Sequence, residues 1–222
     1  VVSGWVEGVD LGQTEVHAAG VWEDLERIVM AGGVPLAPEV RSCYRLRFPA
    51  APLFAADMEQ VRLDPERLVR DTLAAAALGD FAVVEGVGGL RVPLVPGYDT
   101  SHLARDLGWP ALLVVGIRLG CINHALLTAE VLAARGIPLA GWVANVGLDR
   151  NYAHVDETIA AIAEGIGQPC GARLGSFAGG RPLTAGERIE DWRVQAELQI
   201  AAAGMALDRL ACSLVAKDDA PL

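Results

Sequence analysis

"PALLVVGIRLGCINHALLTAEVLAARGIPLAGWVAN", Pro110 to Asn145, decides the fold. Its opening, Pro110 to Arg118, is a continuous apolar run with central Leu and Val, the mark of a strand covered on both faces. "INHALLTAEVLAARG" reads as a helix closed by Gly136, and "IPLAGWVAN" as another buried strand ending at Asn145. Two apolar strands joined through a helix imply parallel pairing, because a tight turn can join only antiparallel neighbours.

The same alternation extends outward on both sides. "LDPERLVRDTLAAAALGD" carries Asp64 as N-cap, Pro65 at the first helical position and Gly79 as the stop. It feeds a strand from Phe81 to Glu85. "DTSHLARDLGW" offers Thr100 or Ser101 as the cap of a short helix ending near Gly108, and a further helix covers roughly His154 to Glu164 before a short strand in "ARLGSF". Alternating strands and helices predict an α/β fold with a doubly wound, mostly parallel sheet. The first sixty or so residues are less regular, Pro-rich around "RFPAAPLFAADM", and read as helices and loops at one edge of the sheet. No repeat or linker divides the chain, so one domain over 1–222 is expected, with a frayed tail after about 210.

Composition narrows the functional classes. Of the 222 residues 52% are hydrophobic but only 5% aromatic, so the core is built from Ala, Val and Leu. Net charge is −10 without a cluster of Lys and Arg, which argues against a nucleic-acid partner. Cys43, Cys121, Cys170 and Cys212 lack C-x-x-C spacing, so neither a disulfide framework nor a zinc site is expected. No apolar run reaches the ~20 residues of a membrane span and no signal peptide is evident, so a soluble, cytoplasmic protein without a membrane partner is expected.

Ligands of open parallel sheets bind outside the carboxyl ends of the strands. In "FAVVEGVGGLRVPL" a strand delivers Glu85 into a loop with glycines at 86, 88 and 89. These glycines permit positive φ and close backbone approach, and the carboxylate could hold Mg²⁺ bridging to phosphates. A tight turn with a solvated acid is the plainer alternative. "RLGCINH" is a Gly-containing turn into a helix, an anion site suited to a carboxylate; Asn123 could cap that helix, while Cys121 reads as a small buried filler and His124 as a packing or hydrogen-bonding residue. Asn145 could pair with a purine edge or merely cap a turn. Ser3, after the end of a strand, could bond a small polar substrate or only shape a turn.

Together these motifs resemble the dethiobiotin synthetase family. "VVEGVGG" looks like the family's "VEGAGG", the segment from Leu112 to Asn145 resembles its most characteristic stretch almost position by position, and "VVSG" looks like the tail of its "KPVxSG". The resemblance covers residues 1 to 5 and about 60 to 177. It implies a P-loop NTPase-type fold and closure of a cyclic urea on 7,8-diaminopelargonate with CO₂ and ATP, through a carbamate and a mixed carbamic-phosphoric anhydride. It further implies Glu85 as a Mg²⁺ ligand, Gly86, Val87 and Gly88 along the nucleotide phosphates, Asn145 at adenine, and Ser3 at the diamine. The backbone of Gly120, Cys121, Ile122 and Asn123 would bind the diamine's carboxylate from the neighbouring subunit of a homodimer.

Several family features differ. The phosphate loop G-x-x-x-x-x-G-K-T and the first strand are not in this chain, nor is the catalytic lysine, which would precede Val1. The second acidic metal ligand is best matched by Glu15, with Asp10 a weaker fit. The family's "SPH" is replaced near "APLFAA", and its "EIP" turn is replaced by "SFA" at Ser176 to Ala178. Alternatives are a noncatalytic homologue that dimerises and binds a small carboxylate, or another ATP-dependent amidoligase. The expectation is that the reading frame upstream of Val1 encodes G-x-x-x-x-x-G-K-T followed by Lys-Pro; an in-frame stop codon there would sink it. Without that loop, calorimetry on Val1–Leu222 should detect no tight ATP binding, and a submicromolar affinity would contradict this.

Overall fold

The computed structural model describes residues 2–3, 42–48, 50–79, 82–146, 149 and 151–175. The chain divides into two compact units, Val1–Gly108 and Trp109–Leu222. Asp10, Glu15, the "SFA" segment and the tail lie outside the described residues.

In the first unit β1 (Val2–Ser3) pairs in parallel with β2 (Tyr44–Arg45), Ser3 standing opposite Arg45. Two helices follow, α1 (Pro52–Met58) and α2 (Pro65–Ala76). Asp64 caps α2 as expected, accepting from Glu66 N at 3.0 Å, and its own amide donates to the Tyr44 hydroxyl at 3.0 Å. The helix ends at Ala76, ahead of Gly79. Leu68, Leu63, Ala55, Ala56, Leu46 and Leu94 bury one another in the core of this unit.

A short antiparallel ribbon, β3 (Pro93–Val95) and β4 (Tyr98–Asp99), leads into α3 (Thr100–Leu107). The ribbon is too brief to leave a periodic signal; Gly97, at φ 79°, makes its turn. The strand expected at Phe81–Glu85 is not formed over 82–85. Phe81 lies outside the described residues, 82–85 carry no strand, and Val83 is 77% exposed. An apolar tetrapeptide becomes a strand only when a neighbour satisfies its ladder, and among the described residues no strand pairs with it.

The second unit holds β5 (Ala111–Gly116), α4 (Cys121–Ala134), β6 (Leu139–Asn145), α5 (Val155–Ile166) and β7 (Ala172–Leu174). Its sheet has the order β5-β6-β7, wholly parallel, with Val114 opposite Val143 and Ala144 opposite Arg173. Helix α4 ends one residue before Arg135, and Gly136 follows at φ 66°. Helix α5 runs past Glu164 to a left-handed Gly167. A Cβ on Gly165 would collide with the Leu126 side chain, so a bare backbone lets α5 approach α4.

Trp142 is fully buried on β6 among Val115, Ile117, Ala125, Ile159 and Ile162. Its indole N–H donates to Gln168 O at 3.0 Å. Strand β6 is buried from Gly141 to Ala144, as its apolar run suggests. Strand β5 departs from expectation: Leu113 and Val115 turn inward, but Leu112 and Val114 are 44% and 55% exposed. Periodicity reports that a face is apolar, whereas coverage depends on what packs against it. Trp142→Ala should destabilise this unit by about 3–5 kcal/mol through lost burial and cavity formation. Chemical denaturation with a loss under about 1 kcal/mol would show that the indole is not its central packing element.

Candidate functional site

The parallel register brings two of the candidate regions together. Gly116, at the carboxyl end of β5, stands opposite Asn145 at the carboxyl end of β6, and Ile117 N donates to Asn145 O at 2.9 Å. The chain then turns through Arg118, Leu119 and Gly120 into α4, with Cys121 N bonded to Arg118 O at 3.1 Å. Gly120 takes φ 88°, a left-handed conformation that glycine enters at little cost. Gly120, rather than Asn123, is the N-cap; Asn123 is the third helical residue, and no side chain caps the helix. A Gly turn this tight starts the helix earlier than a side-chain cap at Asn123 would allow.

The first intrahelical bond of α4 runs from His124 N to Gly120 O at 3.4 Å. The amides of Ile122 and Asn123 have no partner among the described residues and sit at the positive end of the helix dipole. Cys121 is 3% exposed and packs into the core as a filler, Ile122 packs against the same core, and Asn123 and His124 are exposed. The turn can therefore receive an anion through backbone amides, with side chains contributing at its rim. Asn145 is half-buried beside it.

Glu85 lies in the first unit, exposed in a non-strand segment and followed by exposed Gly86 and Gly88. Gly88 alone of the loop's three glycines adopts positive φ, 73°, while Val87 packs against the core and its carbonyl accepts from Gly89 N at 2.8 Å. A single exposed carboxylate beside bare backbone suits an ion held mostly by water and phosphate oxygens. Among the described residues no three His, Cys, Asp or Glu side chains converge on a metal position. Ser3 is in β1 opposite Arg45.

The sequence reading missed the residues that hold this loop. Asp99, not Thr100 or Ser101, is the N-cap of α3: its carboxylate accepts from Ser101 N at 3.0 Å and His102 N at 3.2 Å. It also accepts from the Ser101 hydroxyl at 2.5 Å and Arg91 Nε at 2.6 Å. His102 Nδ1 lies 3.1 Å from the Asp99 amide and 2.9 Å from its carboxylate, accepting or donating according to tautomer. An Asp directly before a helix was the available signal, since Asp is among the best N-caps. Ser101 is fully buried and bonded to Asp99 rather than to His102, so these three do not form a nucleophilic triad.

Burial works to raise the Asp99 carboxyl, but hydrogen bonds from Ser101, His102 and Arg91 outweigh it and hold it well below the usual carboxylate range. Burial, helped by the hydrogen bond to Asp106, pushes the Tyr98 hydroxyl up.

Similarity to known proteins now gives these features a class. Residues 18–174 match the model of an AAA domain, and the parallel β5-β6-β7 sheet with its crossover helices agrees with the P-loop NTPase type. The chain is 44% identical over 166 residues to the ATP-dependent dethiobiotin synthetase BioD of Aromatoleum aromaticum, covering 74% of this chain and 73% of that protein. The chain belongs to the dethiobiotin synthetase family, a family of ATP-dependent ligases. Among the described residues no helix is long and apolar enough to cross a membrane.

Because the folded state lowers the Asp99 pKa, its stabilisation is fully present above about pH 4 and drains as pH falls below that value toward the folded pKa. Asp99→Asn should be less stable than the parent at pH 7 by about 1–3 kcal/mol. That difference should shrink in acid titrations followed by circular dichroism below about pH 4; a constant difference would show that the ionised form contributes nothing.

Proposed function

We propose that this protein makes dethiobiotin in biotin biosynthesis, closing a cyclic urea on 7,8-diaminopelargonate with CO₂ and ATP. The supporting observation is the 44% identity to an ATP-dependent dethiobiotin synthetase over most of both chains. One amine of the substrate captures CO₂ as a carbamate, the γ-phosphate passes to the carbamate oxygen, and the second amine attacks the carbon and expels phosphate. Such a reaction depends on positioning and on stabilising the charge of phosphoryl oxygens.

The residues divide by the group they would hold. The open amides at the Gly120–Asn123 turn suit the substrate's carboxylate, presented to the neighbouring subunit of a homodimer, and Ser3 would contact the diamine. Gly86, Val87 and Gly88 would line the nucleotide phosphates, and Asn145 would meet adenine through its amide. Glu85, with Glu15 as the second acid, would hold Mg²⁺, whose contribution when bound is to neutralise phosphate charge. The exposure of Glu85 fits a ligand that must reach an ion carried in with ATP. The AAA-domain match runs without a break from residue 18 to 174, which supports a single catalytic domain, and the composition supports a cytoplasmic enzyme.

The protein should form dethiobiotin only when ATP, Mg²⁺, bicarbonate and diamine are all supplied; formation without ATP would sink the assignment. Glu85→Gln should lower Mg²⁺-dependent turnover about a hundredfold or more while diamine binding persists. Unchanged turnover would remove Glu85 from the metal site.

A further inference from the structure

We propose that Thr100 is a positioning residue for the glycine loop, setting the backbone of Gly86–Gly88 for nucleotide phosphates. The proposal rests on the assignment of that loop to ATP and adds to it a residue that touches neither nucleotide nor metal.

Thr100 is 8% exposed and spends its hydroxyl in both directions. Oγ1 donates to Gly89 O at 2.6 Å and accepts from Val92 N at 3.1 Å, while Thr100 N donates to Val92 O at 3.0 Å. Three hydrogen bonds from one residue thus span both sides of Leu90-Arg91. The preceding residue, Asp99, holds Arg91 through Nε, so positions 89, 91 and 92 are all tied to the start of α3.

The constraint continues from Val92 to the glycines. A Cβ on Gly88 would stand 3.1 Å from Val92 Cγ2, so the Val92 side chain closes directly over Gly88, which is already at φ 73°. Thr100 places Val92, and Val92 limits Gly88. A glycine-rich loop left untied would lose the most backbone entropy on ordering around phosphates. Tying it beforehand removes part of that loss from the binding step.

The test compares variants of the protein by melting temperature, KM for MgATP, KM for the diamine, and kcat. Thr100→Val keeps the shape and removes both hydroxyl bonds; KM for MgATP should rise about tenfold, the effect of a lost buried hydrogen bond or two. KM for the diamine should stay put, and Thr100→Ser, which retains the hydroxyl, should restore KM for MgATP. Val92→Ala opens the contact over Gly88 without touching Thr100 and should raise the same constant severalfold, keeping the test decisive if Thr100→Val does not fold. A lowered melting temperature with KM for MgATP unchanged in the folded variants would make Thr100 merely structural and overturn the proposal. Loss of turnover in Glu85→Gln beside that result would leave the ATP assignment standing, whereas unchanged turnover in Glu85→Gln as well would remove the loop from the nucleotide site.

Discussion

Parallel strands cannot be joined by a tight turn, and the second unit is organised around that constraint. Pairing β5 with β6 requires a crossover, α4, which must start where β5 ends and return the chain to the opposite end of the sheet. The start of α4, where the amides of Ile122 and Asn123 have no partner among the described residues, therefore falls at the same end as the last residues of both strands. The candidate binding groups collect there because of connectivity; Gly120 makes the turn into α4, and Ile117 N donates to Asn145 O. Trp142 secures the arrangement from within, filling the space between sheet and helices while its one polar atom is satisfied by Gln168 O.

The first unit solves a different problem. The loop after Glu85 is rich in glycine, and glycines provide no side chains to anchor it. Anchoring is displaced to the next helix, where Asp99 caps α3 and holds Arg91, and Thr100 grips the backbone on both sides. Because α3 and the loop share these two residues, helix stability and loop geometry are coupled. The ionised state of Asp99 follows from the same contacts, whose hydrogen bonds overcome the effect of burial.

Much of this was legible beforehand, for identifiable reasons. The crossover from Pro110 to Asn145 was readable because long apolar runs and a helix closed by glycine are local patterns. Asp64 before Pro65 was legible as a cap for the same reason. Asp99, Thr100 and Ser101 can all cap, and only the positions of the helical amides choose Asp99 among them. The strand expected at Phe81–Glu85 is absent over 82–85 because apolar character states a willingness to pair and cannot supply the partner.

The sequence by itself determined the family, the parallel alternation, and which residue types stand at strand ends, all properties of local order and composition. Tertiary structure alone decided that Gly116 and Asn145 are neighbours, that Gly120 rather than Asn123 caps α4, and that Thr100 bonds to Gly89, eleven residues upstream. Hydrogen bonds between segments depend on distances that chain folding creates, and no single-residue preference records them.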